Sequence, residues 1–422
     1  MRSPSGLTRR AFALGGAAGL GASLAGLPTV WAKRTFSIRV LGTHVTLQED
    51  LRRRAEADLG ISIHFEPGGS ARVLHQAATR PESFDLYEQW SNSIRVLWQA
   101  RAIQPIDVGR IRYWDDVNSL SKTGRLSPDA GLGRGDAPHT LVYAQRDGTL
   151  GSNPTRNLSF LPYVHNVDSF GYHAGKIPRG RPYETESWGW LLDPAHRGKV
   201  ALVNAPTIGL FDAALAAQAT GQVRFEDIGD ITREELDALF KILIDLKHEG
   251  HFRGVWSSVP ESVEMMRRDE VVLESMFSPA AATLNGDGIP CVYAAPKEGY
   301  RAWHGVMCLS SSTVGPQRDA AYEYMNWWLS GWPGAFIARQ GYYISTPHLS
   351  RPHLSEDEWR YWYAGEPTRT SLTNPVGQVS VPAGAVRNGG SYQRRFAHVA
   401  VWNTVMNTYE YSLRRWSDFL LG

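Results

Sequence analysis

The 422-residue chain has only two cysteines, Cys291 and Cys308. No histidine stands near them at a metal-ligand spacing, which excludes a zinc site built on their thiolates. Either they face each other across adjacent antiparallel strands, where an oxidising compartment would bridge them, or they are two small buried hydrophobes. Excess charge is equally scarce. The formal net charge is +2, and it becomes −1 once the first 32 residues, which hold Arg2, Arg9 and Arg10 and no acid, are set aside. That balance leaves no electrostatic footprint for nucleic acid or an anionic membrane. Catalytic signatures are missing as well. There is no Gly-x-Ser-x-Gly elbow, no zinc motif and no spaced catalytic pair. Gly131-Leu132-Gly133-Arg134-Gly135 follows no strand and opens no helix, so it reads as a surface loop and not a phosphate cradle. Without a cofactor fingerprint, neither a cofactor nor an enzymatic activity is expected.

What is present begins at the N-terminus. Thr8-Arg9-Arg10-Ala11-Phe12 precedes a weakly apolar run from Ala13 to about Leu27. That run is too short and glycine-rich to span a membrane, which takes about 20 apolar residues. With Val30-Trp31-Ala32 as a small-residue cleavage site, residues 1–32 read as a secretory signal. The paired arginines suit the twin-arginine route, which exports folded proteins, so a periplasmic chain starting near Lys33 is expected. No later segment reaches spanning length without charges. The remaining chain exceeds one core, and about two domains are expected. Its 15 Trp and 17 Tyr are more rings than a core needs, which points to a ligand surface.

From Phe36 onward strands and helices alternate. Phe36–Leu41, Ile61–Phe65 and Phe84–Tyr87 read as strands, with Leu47–Leu59 and Val73–Thr79 as helices between them. A second series holds strands at Leu161–Val164, Val200–Val203 and Val271–Met276. Its helices are Ile208–Ala217, one capped by Thr232 and Glu235, and Ser262–Arg268. This alternation predicts an α/β fold with parallel-type sheets, whose ligands sit beyond the carboxyl ends of the strands. Residues 350–395, rich in Pro, Gly, Ser and Arg, are expected to be a long surface excursion, and Val399–Leu421 an aromatic helix.

Several stretches carry a resemblance in their order and spacing. They are Phe84-Asp85-Leu86, Leu161-Pro162-Tyr163, Ser187-Trp188-Gly189-Trp190-Leu191-Leu192 and Arg197-Gly198-Lys199-Val200. Pro296-Lys297-Glu298-Gly299 with Trp303 follows, then Gly341-Tyr342-Tyr343 with Thr346-Pro347. Over nearly the whole chain after residue 32 the sequence resembles the periplasmic solute-binding proteins of ABC importers, in particular the spermidine/putrescine-binding family. The resemblance implies a two-lobed type II periplasmic binding protein fold with an interlobe cleft. It implies lobes of 33–163 plus 279–330 and 164–278 plus 331–422, a monomer, and delivery of the ligand to permease subunits in the inner membrane.

Carried over position by position, the resemblance implies a ligand site of Thr43, His44, Trp90, Asn92, Asn204, Trp256, Phe277, Ser278, Trp303 and Tyr343. The loop after the first strand, Gly42-Thr43-His44-Val45, keeps the family's Thr and lacks its carboxylate. Burying several ammonium charges without carboxylates is costly, which counts against spermidine itself. Glu88 and Glu274 are candidates to compensate, or are structural. The ring-rich, acid-poor set points to a small organic cation or amine, since aromatic faces attract alkylammonium groups. Trp303 serves either as a cleft wall or as core, and His44 is either in the cleft or on the surface. The alternatives are an exported enzyme or a binding protein for an amino-acid derivative, a sugar or ferric ion; for the last, Tyr342-Tyr343 lacks a nearby carboxylate or His partner.

Overall fold

The computed structural model describes Phe36–Gly422, so the expected export signal lies outside the described residues. Twelve strands form one curled mixed sheet: β1 (Ser37–Gly42), β2 (Ser62–Pro67), β3 (Leu86–Trp90), β4 (Ile103–Gln104), β5 (Leu161–His173), β6 (Val200–Val203), β7 (Phe252–Trp256), β8 (Leu273–Met276), β9 (Cys291–Tyr293), β10 (Tyr300–Ser310), β11 (Tyr343–Ile344) and β12 (Val399–Trp402). The order runs β7-β6-β8-β5-β10-β3-β1-β2. At each end the strands are parallel, β1 with β2 and β3, and β6 with β7 and β8. The middle is antiparallel, with β5 against β8 and β10, and β10 against β3. The expected α/β class therefore holds, and the two parallel ends meet through β5 and β10.

Local chemistry sets the elements. Helix α1 (Glu49–Leu59) opens with Glu49 and Asp50, which suit the positive end of its dipole. It buries Leu51 and Ala55 and ends at Gly60, whose φ of 65° the absent side chain permits. Strands β6 and β8 are buried at every position, as parallel strands covered on both faces are. In the core with them lie α3 (Pro206–Ala219) and α4 (Arg233–His248), which carries the expected Thr232–Glu235 capping box, whereas α2 (Ser70–Thr79) packs Val73 and Ala77 into the core of β1–β3. The chain continues through α5 (Val259–Arg267), α6 (Ser278–Gly286), α7 (Gly315–Leu329), α8 (Trp332–Ala338) and α9 (Tyr409–Leu421).

Two main cores result. The first joins β1–β3, the start of β5, the end of β10, and α7 with Phe336 and Ile337 of α8. The second joins the end of β5, β6, β8, α3, α4 and Trp416 and Phe419 of α9.

Three expectations change. The strand at Leu161–Val164 runs on to His173, because its polar residues His165, Asn166 and Asp168 are buried rather than strand-ending. Residues 350–395 are a packed cover and not a surface excursion. Trp362, Tyr363, Leu372, Val381 and Tyr392 form a third core with Tyr300, Tyr343 and Trp402, so the rings outweigh the Pro and Gly between them. The terminal helix is divided: β-branched Val399 and Val401 pair beside β10, and the helix starts at Tyr409. Cys291 and Cys308 are both buried and free. Their strands pair with separate stretches of β5, with Cys291 opposite His173 and Cys308 opposite Tyr87 of β3.

Candidate ligand-binding cleft

Strand parity builds the site. Side chains two apart on a strand share a face, so Arg301 and Trp303 on β10 point the same way, and both line a narrow cavity of about 50 Å³. Its other walls are Trp90 at the end of β3, Phe277 after β8, Tyr342 before β11, Val45 and Ile208. Trp90 and Trp303 meet edge to face with ring centroids 4.7 Å apart, and Tyr342 meets Trp303 at 5.6 Å. Tyr342 gets there through Gly341, whose φ of 89° makes a turn that a side chain would strain. A tryptophan near the start of β10 thus has a reason: Trp303 is 5% exposed, and its ring lines the cavity.

The floor is polar and buried. Asp168 of β5 lies directly opposite Arg301 of β10 in the antiparallel register. Arg301 Nε donates to Asp212 Oδ1 of α3 at 2.7 Å, while Nη1 donates to Asp168 Oδ2 at 3.4 Å and Asn403 Oδ1 at 3.2 Å. Nη2 has no partner among the described residues. Tyr293 donates its hydroxyl to Asp168 Oδ1 at 3.2 Å. Burial pushes the Asp212 carboxyl up to about 6 against the pull of Arg301, and it raises Asp168 in the same way. With both carboxylates ionised, two negative charges surround one guanidinium. The carboxylates then outnumber the one guanidinium that contacts them, while Arg395 adds a more distant positive charge at Asp168.

Trp90, Phe277 and Trp303 of the expected set are brought together here; the other seven are not. His44 is exposed, and Thr43 is buried with its carbonyl accepting from the Leu47 amide, so Val45 represents that loop in the cavity. Asn92 and Asn204 border a neighbouring opening, where Asn204 Oδ1 accepts from Trp416 Nε1. Trp256 is 1% exposed and donates to the Ser275 carbonyl, supporting Phe277 edge-on from behind. Ser278 faces a different cavity. Tyr343 points to the opposite side of its strand from Tyr342 and packs on His165, Tyr392 and Phe396. His304, one residue from Trp303, likewise turns inward, bonding Ser121 Oγ at 2.8 Å. Val45, Asp168, Ile208, Arg301, Tyr342 and Asn403 also line the cavity and are outside the expected set, although the parity of Arg301 with Trp303 is a signal the sequence carries.

Glu88 and Glu274 do not supply the missing acid. Both are fully buried away from the cavity. Glu274 accepts from Ser262 Oγ, and burial holds its carboxyl well above the usual range. Glu88 accepts from Tyr163 at 2.9 Å, and burial raises it from 4.5 to about 7. A carboxyl with a raised native pKa stabilises fully below its unfolded value and loses that contribution as pH rises through the native one. Stability from Glu88 should therefore fall between about pH 4.5 and 7, by up to about 3 kcal/mol. Glu88→Gln should be the more stable protein at pH 8 and differ little at pH 5, by urea unfolding. An equal difference at both pH values would contradict the assignment. Comparing variants isolates this effect from His304, which burial lowers to about 4 and which acts in the opposite sense at low pH.

The sequence matches the family model for bacterial extracellular solute-binding proteins over residues 52–350. No curated protein gives a match. Among solved structures the chain is similar to the spermidine/putrescine ABC transporter substrate-binding protein PotD of Streptococcus pneumoniae, in complex with calcium and HEPES. That likeness has 13% identity and a TM-score of 0.60 over 92% of this chain and 98% of the other. It is similar to the Tp0655 (TpPotD) lipoprotein of Treponema pallidum at 10% identity and TM-score 0.60, over 92% and 100% of the two chains. The binding protein AgtB of Agrobacterium tumefaciens, in complex with agropinic acid, follows at 12% identity and TM-score 0.54, over 92% and 99%. Likeness at these identities establishes the two-lobed binding-protein fold and leaves the ligand open. With most of its length matched by the family model and a fold that agrees, this chain belongs to the bacterial extracellular solute-binding proteins.

Proposed function

We propose that the protein captures a small organic cation or amine outside the cytoplasm and delivers it to the permease of an ABC importer. The observation that carries this reading is Asp168 at the base of a slot walled by Trp90, Phe277, Trp303 and Tyr342. Ring faces attract alkylammonium groups, by about 0.5–2 kcal/mol each depending on desolvation. The Asp168 carboxylate of the floor complements a cation. A water needs roughly 10–15 Å³ on the same measure, so 50 Å³ takes a compact head group and not a folded polyamine. A single ammonium head with an apolar tail fits best. The unpartnered Nη2 of Arg301 favours one second reading, an amino-acid derivative whose carboxylate meets that nitrogen.

Trp303→Ala should weaken binding by roughly 1–3 kcal/mol through lost burial and cation–π contact. Fluorescence titration with a choline-like amine checks this, and unchanged affinity would remove Trp303 from the site. Export by the twin-arginine route belongs to the same proposal, and no described helix is long and apolar enough to cross a membrane. Replacing Arg9 and Arg10 by Lys should leave unprocessed precursor in the cytoplasm; normal processing would exclude that route.

A further inference from the structure

The cover formed by residues 350–395 encloses, with α6 and β9, a second cavity of about 440 Å³. Its wall holds Arg179, Arg387 and Arg395, and none of the three has a carboxylate within 4.0 Å among the described residues. Arg387 and Arg395 are 6% and 1% exposed, so two guanidinium charges are buried side by side without counter-ions. Arg387 is accounted for locally. It donates to the Trp362 and Gly341 carbonyls and lies 4.8 Å over the Tyr343 ring. Even so, burial lowers its pKa, and Arg395 adds to the effect.

Arg395 lies 4.8 Å over the Tyr300 ring, but its hydrogen bonding is incomplete. Its Nη1 donates to the Asn388 carbonyl at 2.8 Å and to Tyr300 Oη at 3.3 Å, while Nε and Nη2 have no partner. Those two nitrogens form one edge of the guanidinium, the edge whose parallel N–H groups match the two oxygens of a carboxylate or phosphate. Two more buried groups on the same cavity lack partners, Ser380 Oγ and Trp362 Nε1. The buried acids in the surroundings are already occupied, Glu186 by Tyr172, the Ala295 amide and Asn388 Nδ2, and Asp168, which feels the charge of Arg395, by Arg301 and Tyr293. Buried polar groups are normally paired, and unpaired donors on three residues that line one cavity mark the neighbourhood of a missing acceptor.

We infer that this cavity is a second binding site, for a small organic anion whose carboxylate or phosphate group is held by Arg395, Ser380 and Trp362. The Tyr361 ring on the same wall gives the organic body an apolar surface. The site has its own lining, distinct from that of the cleft, and Tyr293, which lines this cavity and donates to Asp168, is one link between the two.

Calorimetric titration of the exported chain with benzoate, citrate and inorganic phosphate tests the inference. At least one should bind saturably, and the stronger of the carboxylates and phosphate identifies the source of the oxyanion. Arg395→Gln should weaken that binding at least tenfold. Arg395→Lys, which keeps the charge and loses the two-nitrogen edge, should also weaken it. Amine-induced fluorescence at the cleft should persist in both. Ser380→Ala, a change smaller than either, should weaken the anion several-fold if the arginine variants do not fold. Absence of saturable binding by all three anions, or wild-type affinity in the folded variants, would overturn the second site and leave the amine reading untouched.

Discussion

Arg301→Met should destabilise the protein by about 3–5 kcal/mol, the usual cost of breaking a buried ion pair by removing one partner. The guanidinium is fully buried, and Asp212 and Asp168 both depend on it. Without it, two carboxylates would remain in an apolar interior, and each would have to take up a proton to stay there. The loss should grow as pH rises, since the native state would then bind more protons than the unfolded chain. Adding Asp212→Leu should recover part of the stability, because a well-packed apolar residue is often as good as a buried pair. Urea unfolding at pH 5 and pH 8 measures both effects. A single variant within about 1 kcal/mol of the parent at both pH values would show that the floor is not the ion-paired cluster described.

Asp168→Asn should cost the cleft its affinity for cations while leaving the fold in place. The amide is nearly isosteric and still accepts from Tyr293, and Arg301 retains Asp212 at 2.7 Å. What disappears is the carboxylate charge beneath the rings. Removing one partner of a desolvated charge pair costs roughly 2–5 kcal/mol of binding, so affinity for a choline-like amine should fall at least about 30-fold. That exceeds the loss from Trp303→Ala, because a ring wall contributes area and a weak cation–π attraction whereas the carboxylate supplies the counter-charge. Equal affinities in Asp168→Asn and the parent would mean that the ligand presents no positive charge to the floor.

Much of the sheet was legible because its strands are short, apolar and bounded by turn residues. Val200–Val203 and the capping box at Thr232 stand where the sequence places them. Strand β5 was cut short for a physical reason. His165 is buried against Tyr392 Oη at 2.7 Å, and Asp168 against Arg301, partners 227 and 133 residues away. Such pairings turn polar residues into core residues, and no local pattern reports them. The same distance hides from the sequence that Asp168 lies at the base of the cavity, whereas the resemblance directs attention to the first loop for a carboxylate. Tyr342 and Tyr343 show a narrower failure. Both lie next to the cleft, and which one enters it depends on a strand parity fixed by the turn at Gly341. In the segment 350–395 composition misled, since Trp362, Tyr363 and Tyr392 anchor a core that the intervening Pro and Gly only connect.

A ring-walled slot with a carboxylate at its floor should bind a small organic cation. Tryptophan fluorescence is the direct probe, because Trp90 and Trp303 form two of the walls. The purified exported chain would be titrated with a choline-like quaternary amine, putrescine, spermidine, amino acids and neutral sugars under one buffer condition. The expected result is a saturable change with a cationic ligand, strongest for a single ammonium head bearing an apolar substituent, and none with sugars. Tight binding of a neutral sugar, with no response to any cation, would contradict the account of the cleft and leave the family and the fold as they stand.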